Sequence, residues 1–201
     1  MTRIFVTTGA ESSGKTTLAR ELSATLGATL VLEASRDYLN EQLHGNANWR
    51  YGEADLLAIA QLQYQHEQNA LAASPAYLVC DTDLLVIVIW SEVRYGRCAS
   101  ALRHLFEQSL LAHPRRYLLC DPGIPWQYDP LRENPHDRDV LHARYQQHLQ
   151  QLALDWRLVH GSRTQRLEQA LHDGPWTVYR DTLASPPARP PRSNTPHGNT
   201  P

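Results

Sequence analysis

Lysine is nearly missing from this chain. Of its 19 Lys and Arg residues, Lys15 is the single lysine. Cysteine is scarce as well. Cys80, Cys98 and Cys120 are odd in number and far apart, which speaks against a disulfide frame or a zinc site and for a reducing, cytoplasmic setting. No apolar run is long enough to span a membrane. The first residues run straight into a strand-like segment, so no signal peptide is expected. No charge of one sign dominates: the net charge is −2, which gives no basic field to attract nucleic acid. The 10 histidines form no H-x-x-x-H or C-x-x-C pairing, so they read as surface residues rather than metal ligands. There is no internal repeat. What remains is 201 residues, 42% of them hydrophobic: enough for one domain of ordinary size with a core, or one domain plus a tail.

The solitary lysine stands in Gly9-Ala10-Glu11-Ser12-Ser13-Gly14-Lys15-Thr16, a G-x-x-x-x-G-K-[ST] pattern. A compact ammonium reaches between phosphates where a planar guanidinium would not. Gly9 and Gly14 tolerate backbone angles that other residues resist, so the loop can turn its N–H groups inward as an anion nest. The flanks agree with this reading. Residues 3–8 read as a short buried strand, and 15–26 as a helix whose N-terminus points at the nest. The pattern predicts that residues 9–17 (Thr17 included) bind the phosphates of ATP, that Lys15 reaches the β- and γ-phosphates, and that Thr16 ligates Mg²⁺.

Strand-like segments recur at 3–8, 28–33, 76–80, 116–120 and 156–160. Helical periodicity marks 15–26, 53–73, 98–112 and 136–152, with a last helix at 164–172. Alternating strands and helices predict an α/β fold, a three-layer P-loop domain with a mainly parallel sheet. From Ser185 the composition turns to Pro, Arg, Ser, Asn, Thr and Gly, so the domain is expected over 1–183 and a disordered Pro-rich tail over 184–201.

In such sheets ligands gather beyond the carboxyl ends of the strands. Asp81 ends an apolar strand, where an acid that holds the P-loop Mg²⁺ belongs; a turn or helix-cap role is the alternative. Asp83 reads equally as a substrate contact or a cap. Glu33 ends the second strand beside the acceptor's place and could take the proton of an attacking hydroxyl. Arg36, one turn later, could clamp a phosphate or substrate, and the two could also be a surface ion pair. Arg132 and Arg138 lie on a polar, proline-punctuated stretch that could close over a transferring phosphoryl group; a solvated helix start is the alternative. By fold analogy, the loop at Gly161 and Ser162 could carry the adenine. Trp126 and Tyr95 are candidates to stack on a substrate ring, with ordinary packing as the alternative.

Taken together, these motifs resemble one family. The P-loop segment 8–18 resembles that of the ribosylnicotinamide kinase domain of the bacterial NAD-biosynthesis regulators. Glu33-Ala34-Ser35-Arg36-Asp37-Tyr38 resembles the family's E-Y-[AG]-R-[DE]-[YF] segment, Asp55 with Gln63 its D…Q helix, and Asp81-Thr82-Asp83 its D-T-D. Trp126, Asp129, Leu131 and Arg132 resemble its lid entry, and the likeness covers about residues 3–172. It implies a nucleoside/nucleotide kinase-like fold and transfer of the γ-phosphate of ATP, with Mg²⁺, to the 5′-hydroxyl of nicotinamide riboside. It also implies substrate contacts at Asp55 and Asp129. Relatives often carry a nucleotidyltransferase domain ahead of the kinase, and this chain is expected to act as a stand-alone kinase. One departure bears on the acceptor. Leu32 and Ala34 flank Glu33 where the family often has an aromatic.

Two other classes compete with this one. A GTPase would show an N-K-x-D motif, which the lone Lys15 excludes. A hydrolytic switch or an oligomeric motor of the AAA type would be expected to carry a partner surface or a small helical domain after the core. A nucleotide-dependent adaptor would need no acceptor residues such as Glu33 and Arg36.

Overall fold

The computed structural model describes residues 2–46, 49–126 and 137–172. Five strands form one sheet in the order β2-β3-β1-β4-β5: β1 Arg3–Thr8, β2 Thr29–Val31, β3 Tyr77–Asp81, β4 Arg115–Cys120 and β5 Asp155–Val159. Every pairing is parallel, with Val6 aligned to Cys80 on one side and to Tyr117 on the other. The helices are α1 Lys15–Leu26, α2 Ala34–Gly45, α3 Glu53–Ala72, α4 Leu84–Tyr95, α5 Ser100–Ala112, α6 Arg138–Gln151 and α7 Arg163–Leu171.

Alternation along each strand feeds two apolar layers, one on each face of the sheet. Ile4, Val6, Leu78, Cys80, Tyr117 and Leu119 face a core shared with α3, α4 and α5. Phe5, Val79, Leu118 and Cys120 face the opposite layer, with Leu18, Ala19 and Leu22 of α1 and Ala170 of α7. A sheet covered on both faces needs apolar residues at successive positions, which is why these strands read as unbroken apolar runs. The expected α/β three-layer architecture is the one observed.

Two helices carry no counterpart in the sequence reading. Helix α4 is LLVIVIWSEVRY, with Leu84, Leu85, Ile87, Val88 and Ile89 all buried. It packs against α3 and α5 and lacks the polar stripe that would betray a 3.6-residue period. Its β-branched residues resist helix on propensity, and tertiary burial overrides them. Helix α2 begins at Ala34, immediately after Glu33, so β2 is shorter than the 28–33 strand expected. The Gln63 side-chain oxygen accepts the Ala34 N–H at 2.8 Å and pins that first turn.

The carboxyl ends of all five strands open on one edge, and the candidate residues after β1, β2 and β3 converge there. The tail 184–201 and the domain limit at 183 lie outside the described residues.

Candidate active site

The loop between β1 and α1 is shaped by two glycines with positive φ. Gly9 has φ 132°, and a Cβ there would come 2.8 Å from the Cys120 carbonyl oxygen; Gly14 has φ 82° at the N-cap of α1. Only glycine meets both demands without strain. The Ser13 hydroxyl donates to the Ala10 carbonyl at 2.8 Å and closes the loop on itself. Lys15 Nζ folds over the loop, donating to the carbonyls of Gly9 at 3.0 Å and Ala10 at 2.8 Å.

Two arginines brace this loop from outside. Arg166 of α7 is 5% exposed, and its guanidinium donates to the carbonyls of Ser13 (2.6 Å), Asp121 (3.1 Å) and Gly161 (3.0 Å). Arg138, the first residue of α6, donates to the carbonyls of Glu11 (3.2 Å), Ser12 (3.0 Å), Ile124 (3.0 Å) and Pro122. Arg138 was expected at the phosphates. The structure places its guanidinium on loop carbonyls, 6.0 Å from the Trp126 ring centroid. Nothing in the sequence around Arg166 marks it; only the fold of α7 against α1 brings it under the loop.

Asp81 lies at the end of β3 beside this loop. It is buried, accepts a hydrogen bond from Thr16, and lies 3.5 Å from the Thr7 hydroxyl. Burial pushes its carboxyl above the usual range, and the charge of Glu33 adds to this. The Thr16 hydrogen bond and the Lys15 charge pull the other way. A hydroxyl and one carboxylate, both hard oxygen donors, fit an ion such as Mg²⁺ that takes its other ligands from phosphate and water.

A cleft of about 290 Å³ runs over the loop. Residues 9–17, Glu33 and Arg36 line it together. The Ser35 hydroxyl donates to Glu33 Oε1 at 2.7 Å and orients the carboxylate. The rest of the lining was not foreseen: Leu39 of α2, Val86, Trp90 and Val93 of α4, Ile124 and Pro125, and Leu141 and Tyr145 of α6. Tyr145 is buried, and Glu33 is among the charges that raise its hydroxyl pKa after burial itself.

The structure gives several residues expected at the substrate other partners. Asp83 is fully buried. It caps α4 by accepting the Leu85 N–H at 3.0 Å, and its other oxygen accepts from Tyr117 (2.6 Å) and Arg115 (3.1 Å). Arg115 also pairs with Glu67 at 3.1 Å, so four polar side chains share one dry cluster. Asp55 caps α3 through the Gly52 N–H at 2.7 Å and accepts the Tyr38 hydroxyl at 2.8 Å, so each oxygen has a partner in the scaffold. Burial first, and then that bond, raise Tyr38 to about 12. Tyr95, the last residue of α4, packs on the core and is not among the cleft's lining. Trp126 stacks near Arg138 and does not line the cleft either. Ser162 caps α7, and Gly161 supplies a carbonyl to Arg166; neither lines the cleft. Asp129 and Arg132 lie outside the described residues.

A parallel five-stranded sheet with a phosphate loop after its central strand defines a P-loop protein with the fold of nucleoside and nucleotide kinases. Residues 4–166 match the AAA domain family, and the chain belongs to it. The chain is 31% identical over 127 residues to the trifunctional NAD biosynthesis/regulator protein NadR of Salmonella typhimurium, covering 62% of this chain and 29% of that protein. It thus spans less than a third of the curated relatives it matches. Among solved structures, a NadR protein in complex with NAD and AMP-PNP superposes with TM-score 0.60 at 17% identity, over 83% of this chain and 47% of the other. Thymidylate kinase from Ehrlichia chaffeensis superposes with TM-score 0.61 at 14% identity, over 83% and 96%. The homology to NadR agrees with the resemblance carried by the motifs. Among the described residues no helix is long and apolar enough to cross a membrane.

Proposed function

We propose that this protein is an ATP-dependent small-molecule kinase that phosphorylates a nucleoside, with nicotinamide riboside as acceptor and nicotinamide mononucleotide as product. One observation carries the reading: Glu33, a carboxylate able to take a proton, lines the same cleft as Lys15 and Thr16. A hydrolase can use such a base to activate water, but it has no need of the apolar wall of Leu39, Val86, Trp90 and Val93 that lines the same cleft. The family's AAA description leaves hydrolysis as the competing outcome, and the acceptor side of the cleft favours transfer.

In the proposed reaction the loop N–H groups and Lys15 hold the triphosphate, with Lys15 leaving the Gly9 and Ala10 carbonyls for phosphate oxygens. Thr16 and Asp81 would hold Mg²⁺, which when bound neutralises phosphate charge. Glu33, oriented by Ser35, accepts the proton of the acceptor hydroxyl as its oxygen attacks the γ-phosphorus. The bond between that phosphorus and the ADP oxygen breaks, and ADP leaves with the electron pair. Arg36 offsets the developing negative charge, and Arg132 is proposed for the same task from the lid side. Asp129 is proposed as an acceptor contact on that side. Soluble action in the cytoplasm and the absence of nucleic-acid partners belong to the same proposal. Leu32 and Ala34, in place of aromatics beside Glu33, favour a second reading in which the acceptor is a different nucleoside.

The test is ATP consumption by purified protein with Mg²⁺ across a panel of nucleosides, with product mass read out. Formation of nicotinamide mononucleotide supports both kinase and acceptor. Phosphorylation of another nucleoside instead keeps the kinase and replaces the acceptor. ATP turnover indifferent to every nucleoside sinks the kinase reading.

A further inference from the structure

We propose that Trp90 is the platform on which the planar ring of the acceptor nucleoside stacks, and that Tyr51 is the residue that positions it; this rests on the kinase reading. Helix α4 has a fixed start, because Asp83 caps it from within the buried Arg115 and Tyr117 cluster. Its rotation is fixed too, since Leu84, Leu85, Ile87, Val88 and Ile89 are all buried. Residues 86, 90 and 93 are therefore left for the cleft, and all three line it. They are apolar or aromatic, and Val93 is 37% exposed. Water against such a wall is unfavourable, and a flat ring laid on it removes that contact.

The indole is held so that it can offer carbon surface rather than a hydrogen bond. Trp90 Nε1 already donates to the Tyr51 hydroxyl at 3.0 Å. The two rings meet edge to face, with centroids 4.9 Å apart and planes at 64°. Arg94 lies over the Tyr51 ring at 5.4 Å from its centroid and adds a second contact that holds it. A ring locked in this way loses little entropy on stacking.

Position decides which ring is meant. Trp90 follows β3, and Glu33 follows β2, so both stand on the β2–β3 half of the sheet. Gly161 and Ser162 stand beyond β5, at the opposite edge. A nucleoside whose hydroxyl meets Glu33 can lay its ring along α4. The missing aromatic beside Glu33 is thereby supplied from a different element.

Calorimetric binding of nicotinamide riboside, thymidine, deoxyadenosine and ringless ribose to the full chain, with Mg-ADP binding measured in parallel, tests this. Trp90→Leu keeps apolar bulk and removes the ring. Nucleoside binding should weaken by about 10- to 100-fold, with ribose and Mg-ADP binding unchanged. Trp90→Phe should restore most of the loss. Tyr51→Phe removes the orienting hydroxyl and should weaken nucleosides by a few fold, and it decides the matter if Trp90→Leu does not fold. Nucleoside binding unchanged in Trp90→Leu and Tyr51→Phe overturns the platform. So does wild-type binding of nucleosides no tighter than ribose. If Trp90→Leu loses ring binding but wild type phosphorylates none of the panel, the kinase reading fails and the ring site stands.

Discussion

The two ends of the cleft are built by different means. At the end proposed for the phosphates the site is a backbone loop, shaped by Gly9 and Gly14 and braced from outside by Arg138 and Arg166. At the end proposed for the acceptor the lining is side chains from α2, α4 and α6, with Leu39, Trp90 and Tyr145 drawn from separate parts of the chain. The first end is local in sequence. The second depends on how three helices pack. Side chains placed on a common fold, rather than the fold itself, are what can suit one site to one acceptor.

The largest expected effect lies at the phosphate end. Lys15→Ala should lower turnover by at least about 10²–10³-fold, because the preorganised positive charge on the phosphates is lost. Steady-state kinetics with Mg-ATP checks this, and wild-type turnover in the variant would remove the site assignment. Glu33→Gln sharpens the comparison at the boundary between the two ends. It should cut kcat by about 10²–10⁴-fold if the carboxylate takes the proton. A change confined to nucleoside affinity would move Glu33 to the binding wall instead.

The acceptor end also rests on the dry ion cluster beneath α4. The side chains of Arg115 and Glu67 are 1% and 0% exposed. Arg115→Met leaves Glu67 and Asp83 buried without their cation, which should cost about 3–5 kcal/mol in urea unfolding. Nucleoside binding should suffer before ADP binding does, since Asp83 caps the helix that carries Trp90 and the phosphate loop has separate braces. Equal loss of both would mean that the two ends are not independent.

The smallest effect is one of pH. Burial, reinforced by Asp83 and opposed by Arg115, pushes Glu67 up to about 7 from 4.5. The folded protein thus holds a proton that the unfolded chain has released. This group's contribution to stability is full below about 4.5 and fades as the pH rises to about 7. Glu67→Gln carries no titrating proton and should flatten that slope. Denaturation midpoints at pH 5 and pH 7.5 compare the two proteins, and an unchanged slope in the variant would place the pH dependence elsewhere.

Legibility in the sequence follows the same division. The phosphate loop could be read because its function needs fixed residue types at fixed spacing in one continuous segment, and the flanking strand and helix agreed with it. Glu33, Arg36 and Asp81 were readable because strand ends in parallel sheets point at one edge. Asp83 and Asp55 were ambiguous because a carboxylate near a strand end or a helix start looks the same whether it faces substrate or caps a helix. The partners Arg115, Tyr117, Tyr38 and Gly52 decide that, and three of them lie 17 or more residues away. Helix α4 escaped because burial on nearly every side erases its period, and with α4 went Trp90. Arg166 escaped because its target is the backbone of a loop 153 residues away.

By itself, then, the sequence determined the α/β alternation, the anion-binding loop and the acids at the strand ends, because each is a matter of short-range spacing and backbone geometry. Only the tertiary structure decided which carboxylates are left to face the cleft, which arginines hold the loop and which aromatic lines the acceptor wall. Those depend on burial and on partners distant in the chain, and no local pattern records them.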